Sequence, residues 1–184
     1  MRRALLSVAL ACVLTGCGAK HRAAPPAGDG FVVDPPAPAP SFVLDDQNNR
    51  PIGPQQFRGK WTAVTFLYTH CPDVCPLIAD QLAAATRRDA GLRVIAVSVD
   101  PARDTRAAVQ EFVARHHTGP HFHFVIGTRR ALKPVWRAYH IAALPGPKGT
   151  ISHSAFTLLV DPQGRERVLF DSHITARAVL AALR

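Results

Sequence analysis

Residues Trp61–Thr69, WTAVTFLYT, carry no charged side chain, and they run directly into a loop that holds two cysteines four positions apart. A run that is apolar at both alternating positions has no face to offer to water. It therefore belongs at the centre of a sheet covered on both sides. Beyond the loop, Pro76 stands where a helix would start, and Ile78, Leu82 and Ala85 recur at helical spacing. A central strand that feeds a helix is the building unit of an α/β sheet. The cysteines, Cys71 and Cys75, then fall at the carboxyl end of a buried strand.

The rest of the chain continues the alternation. LRVIAVSVD reads as a second buried strand, and DTRAAVQEFVARHH as a helix with Val109, Phe112 and Val113 on its inner side and Asp104 as its cap. HFHFVIG reads as a strand, and RRALKPVWRAYHI as a shorter helix started or kinked by Pro134. AFTLLVD and RERVLF flank PQG as a hairpin, and TARAVLAALR closes the chain as a helix. Upstream, SFVLDDQNNRPIG gives two short strands around a polar turn from Asp45 to Arg50. This order predicts an α/β domain over residues 41–184. It resembles a thioredoxin-like sandwich with an N-terminal β-hairpin and an inserted strand–helix unit.

The first residues read as an address. Met1–Arg3 supply a positive start, ALLSVALACVL an apolar stretch, and Leu14–Cys17, LTGC, a small-residue box ending in cysteine. That sequence of features fits a bacterial lipoprotein signal, with residues 1–16 removed and Cys17 lipidated. The apolar stretch is short for a bilayer span. Residues 17–40 are rich in proline and alanine and read as a tether between the lipid and the domain. Loss of residues 1–16 removes two arginines from a formal charge of +9 and leaves +7. Such a charge suits an anionic membrane face or an acidic protein partner. Nucleic acid is not implied, because the arginines are scattered and no aromatics interleave them.

Cysteine arithmetic narrows the chemistry. Of four cysteines, Cys12 leaves with the signal and Cys17 takes the lipid, so Cys71 and Cys75 are the two remaining thiols, in an oxidising compartment. On a helical turn, positions four apart face the same way. The helix N-terminus favours anionic sulfur, while Asp73 between the cysteines opposes it. Two adjacent thiolates either exchange with another disulfide or hold a soft metal. The spacing of three residues between them departs from the two of the usual disulfide exchangers. The only methionine is Met1, so a thioether ligand is excluded and a third donor must be His, Asp or Glu. His153, just before SAFTLLVD, is the best placed, because ligands of open α/β sheets gather at the carboxyl ends of the strands.

VTFLYTHCPDVCPLIADQL, VIAVSVDPARDT and ISHSAFTLLVDPQGR together resemble the Sco (SCO1/SenC) family of membrane-anchored copper proteins, over roughly residues 40–184. The resemblance implies a thioredoxin fold. It implies copper, as Cu(I) or Cu(II), held by Cys71, Cys75 and His153, and delivery to or maturation of the dinuclear copper site of cytochrome c oxidase. It further implies the oxidase copper-site subunit as partner and an extracytoplasmic, lipid-anchored location on a bacterial membrane. Ser152 stands where many members carry an acidic residue. The alternative is a thiol–disulfide oxidoreductase that keeps the oxidase's copper-ligating cysteines reduced through Cys71 and Cys75, with His153 dispensable. A copper or redox sensor is a third reading.

Other groups read more plainly. His121 and His123 fall on one face of a strand within chelating reach, and with His116 and His117 they make a dense cluster, although a polar loop at a helix end explains it as well. His70 adjoins Cys71 and is expected to tune the site rather than bind.

Overall fold

The computed structural model describes residues 30–183. The expected signal segment, Cys12, Cys17 and the tether up to residue 29 lie outside them. Eight strands form one sheet in the order β1-β10-β9-β4-β5-β6-β2-β3, and two more form a separate ribbon, β7-β8. At the centre, β4 (Thr62–Leu67) and β5 (Arg93–Ser98) run parallel, with β6 (Phe122–Ile126) parallel to β5. All six residues of β4 are buried, as its charge-free sequence requires. On its other side β4 pairs antiparallel with β9 (Thr157–Val160), which pairs with β10 (Glu166–Phe170) across a turn where Gly164 has φ +79°. The hairpin of β2 (Leu44–Asp46) and β3 (Pro51–Ile52) closes the far edge on β6. This is the thioredoxin-fold α/β arrangement, with the N-terminal hairpin in place.

Helix α1 (Val74–Arg88) buries Cys75, Ile78, Leu82 and Ala85, the predicted stripe. It starts two residues before Pro76. Helix α2 (Arg106–Arg115) carries Val109 and Phe112 into the core, and α4 (Ala176–Ala182) packs beside α1. Strand β6 extends the central sheet beyond β5. The α2 cap differs from the expectation: the Thr105 hydroxyl accepts from the Ala108 amide, and Asp104 is turned inward. Helix α3 (Arg129–Ala138) also begins earlier than Pro134, because the Thr128 side chain caps it at Ala131. Pro134 sits on its exposed side, where the carbonyl it leaves unbonded can meet water. The Trp136 indole N–H donates to the Ser98 carbonyl at 2.9 Å and pins α3 across the sheet.

Two features were not legible. Within the stretch read as tether, β1 (Phe31–Val32) pairs with β10, Pro38 bridges Arg165, and Ala39 N–H bonds the Gly164 carbonyl. The folded body thus extends upstream of residue 41. Gly30 permits this docking: its φ is +79°, and a Cβ there would lie 2.4 Å from Val168 Cγ1. The second feature is the ribbon of β7 (Ala143–Pro145) and β8 (Ile151–His153), in a stretch to which the sequence assigned no element.

The histidine cluster separates. His123 is buried, stacked on Phe57, with Nδ1 at 3.1 Å from the Asp46 carboxylate that also holds Arg50. His121 lies outside the strand, and His116 pairs with Asp80. The chelating pair His121/His123 is therefore not formed, because His123 turns into the core to satisfy Asp46.

Candidate metal centre

The end of β4 delivers the chain to the site. Thr69 is gripped by the buried Asp104: its amide and its hydroxyl both donate to Asp104 Oδ1 at 2.8 Å. Ser98, at the end of β5, donates to Oδ2 at 2.6 Å. Burial pushes the Asp104 carboxyl up, and these hydrogen bonds oppose that rise. The acid that reads as a helix cap is thus a clamp beneath the cysteine loop. The signal for it was DPARDT itself, in which Thr105 offers a second cap and frees Asp104. His70 stays exposed, with Nδ1 at 2.9 Å from the Thr69 hydroxyl, so it touches the clamp and not the sulfurs.

Cys71 is half-buried in the loop and Cys75 is buried as the second residue of α1; both are free thiols. The helix N-terminus does not activate both. The hydrogen bond from Cys75 lowers the Cys71 thiol to about 6, against the rise that burial would cause, with help from the Asp73 and Cys75 backbone amides and the Tyr68 hydroxyl. Asp73 therefore assists through its backbone, while its side chain is exposed. Cys75 moves the opposite way. The proton it shares with Cys71, and its burial, push its thiol up. The two shifts run in opposite directions, so Cys71 is the sulfur that ionises first.

His153 ends β8 with Nε2 at 3.8 Å from Cys75 Sγ. Its Nδ1 lies 3.2 Å from the Ser154 carbonyl. A carbonyl can only accept, so Nδ1 carries the proton, and in the neutral ring Nε2 keeps its lone pair toward the sulfur. Burial holds the ring below the ordinary histidine pKa, in favour of that neutral form. Tyr68, missed in the sequence, joins the two halves. Its hydroxyl accepts from the Ile151 amide at 3.3 Å, and its ring meets His153 edge to face at 5.7 Å. A tyrosine at the end of an apolar run reads only as core, so no local signal marked it.

Two sulfurs and one imidazole nitrogen suit a soft ion. Bonds of about 2.3 Å to sulfur and about 2.0 Å to nitrogen, usual for a d¹⁰ ion, sum to more than the observed gap between Cys75 and His153. One ion can reach both. Among the described residues no three His, Cys, Asp or Glu side chains stand as a closed metal cluster, this trio included. Cys71 and His153 line a cleft of about 290 Å³ together with Tyr68, Asp73 and Ser152, while Cys75 lies buried behind them. A smaller, more apolar hollow of about 240 Å³ near Tyr139 and Phe156 holds no sulfur and no part of the trio.

Comparison with known proteins places this chain in a wider set. The family profile described as SCO1/SenC matches residues 34–184. A protein of Stutzerimonas stutzeri named for copper binding is 29% identical over 195 residues, covering 100% of this chain and 92% of its own. Cattle mitochondrial protein SCO2 homolog is 32% identical over 134 residues, covering 67% of this chain, and the match spans 50% of the cattle protein. A solved structure of Bradyrhizobium japonicum ScoI with copper bound superposes with a TM-score of 0.67 at 32% identity, over 80% of this chain and 98% of that one.

Proposed function

Since the chain belongs to the SCO1/SenC family, we propose that it binds copper through Cys71, Cys75 and His153 and delivers it to, or matures, the dinuclear copper site of cytochrome c oxidase. The observation that carries this reading is the approach of His153 Nε2 to Cys75 Sγ at 3.8 Å, with the Ser154 carbonyl fixing the proton on the other ring nitrogen. Sequence separation brings no such pair together by chance of local structure: the two residues are 78 positions apart. Thiolate and imidazole ligands favour Cu(I), and can hold Cu(II) with an added oxygen ligand. The half-open cleft lets a partner's thiols approach, which a closed structural site would prevent. Leu77, just after the Cys75 turn, and Leu144, opposite Ser152 in the ribbon, are both exposed and supply apolar contact near the mouth.

The location is part of the same proposal. A lipidated Cys17 would hold the domain on the outer side of a bacterial membrane, where the oxidase copper subunit is its partner. Among the described residues no helix is long and apolar enough to cross a membrane.

A second reading has one observation in its favour. A lowered Cys71 beside a raised Cys75 is an attacking thiolate beside a resolving thiol, the asymmetry a dithiol reductase needs. His153 separates the two. Copper affinity of the reduced full chain, measured by competition with a chelator, should fall at least tenfold in His153→Ala, while the dithiol reduction potential stays put. An unchanged affinity together with strong disulfide reductase activity would place the protein in the other class.

A further inference from the structure

We propose that Tyr68 is a latch: its hydroxyl holds the β7–β8 ribbon, and with it His153, against the cysteine loop. The ribbon has no strand partner in the main sheet. Its own ladder leaves the Ile151 amide free. Gly146 N–H bonds the Thr150 carbonyl, and the next rung of the antiparallel pair falls at Ser152. Ile151, between those rungs, turns its N–H out of the ribbon. That N–H finds the Tyr68 hydroxyl at 3.3 Å.

Tyr68 is well built for the task. It is 2% exposed and sits one residue beyond the fully buried β4, so its own position is set by the centre of the sheet. Its backbone carbonyl accepts from the Cys71 amide at 3.3 Å, which ties it to the loop. The ring packs edge to face on His153. One residue therefore touches the amide two residues before the imidazole and the imidazole itself through its side chain, and the loop that carries the thiols through its backbone. Tyr68 is a positioning residue here, since it contributes no donor to the trio.

The test is Tyr68→Phe, which removes the hydroxyl and keeps the ring. In the reduced, metal-free full chain, amide exchange at Ile151 should be slow in the wild type and faster by about two- to tenfold in the variant, the range set by one hydrogen bond. Exchange at Val64 in β4 should not change. An Ile151 amide that exchanges as an unprotected group in the wild type, a rate untouched by the substitution, or an equal rise at Val64 would each overturn the latch. The second measurement rests on the copper reading. Cu(I) affinity should fall in Tyr68→Phe by a similar factor, and the substitution should add little to a chain already carrying His153→Ala. Effects that simply multiply would refute action through His153. If wild type and His153→Ala bind copper alike, the copper reading fails, and the exchange result still decides the latch.

Discussion

The split of the dithiol can be tested by removing one half of it. Cys75 is the largest cause of the lowered Cys71 thiol, so Cys75→Ala should return Cys71 toward the ordinary range. At pH 7 a thiol at about 6 is roughly 90% ionised, against about 3% for one at 8.5. Ionisation alone then favours the wild type by about 30-fold at pH 7. A less basic thiolate is also a weaker nucleophile, and a Brønsted slope of about 0.45 between 8.5 and 6 takes back a factor of about 13. The net advantage is only about twofold at pH 7 and grows to about 20-fold at pH 5. Above pH 9 the order inverts, and the variant reacts faster by about 13-fold. The assay is the first phase of reaction with a small aromatic disulfide, followed from pH 4.5 to 9.5, with the ratio of the two proteins as the readout. Parallel curves with a common midpoint would refute the assignment of Cys75 as the donor. A wild-type midpoint above pH 8 would refute the lowered Cys71 itself.

Other substitutions probe the supports. Thr105→Ala should cost about 1 kcal/mol in urea unfolding as the loss of an N-cap. Asp104→Ala should cost more, because it strips the acceptor from the Thr69 amide, the Thr69 hydroxyl and the Ser98 hydroxyl, at about 1–3 kcal/mol for a group left unsatisfied. The reverse order would return Asp104 to the role of cap. Acid should destabilise the metal-free protein in two windows. His123 is held below 6.5 chiefly by burial, so the unfolded chain binds its proton first and stability falls as pH drops below about 6.5. Burial works to raise Asp46, but bonds from Arg50, His123 and Asn48 hold it below 3.8, so its contribution is lost as pH falls further, through its folded value. His123→Gln should shallow the first slope without removing it, since His153 shifts in the same direction; a slope unchanged in urea titrations would argue against a buried neutral His123.

The elements whose apolar periodicity is long were readable, and so was the place of the cysteines. Trp61–Thr69 has one reading because nine uncharged residues cannot form an exposed edge. The stripe of Ile78, Leu82 and Ala85 has one reading because only a helix aligns it. What escaped depends on pairing between distant segments. β1 is two residues long, and it exists because β10 offers an open edge and Gly30 lets the chain pass Val168. The ribbon is three residues on each side, too short for any period. Asp104 and Thr105 are adjacent acceptors with equal local claims on the helix, and only the Thr69 and Ser98 donors, brought in by two strands, decide between them. The cysteine pair was placed by sequence, but the division of its charge was not, because that follows first from the hydrogen bond between the two sulfurs and then from the burial of Cys75.

Gly30 and β1 have a mechanical meaning. The chain enters the body at the outer edge of the sheet, with β10 and β9 between that edge and β4. A tug from upstream is taken first by two residues of β1 and by the Pro38 bridge, which can peel while Thr62–Leu67 stays paired on both flanks. The thiols are thereby insulated from strain in whatever holds the N-terminus, as a hinge pin is spared by a sacrificial washer.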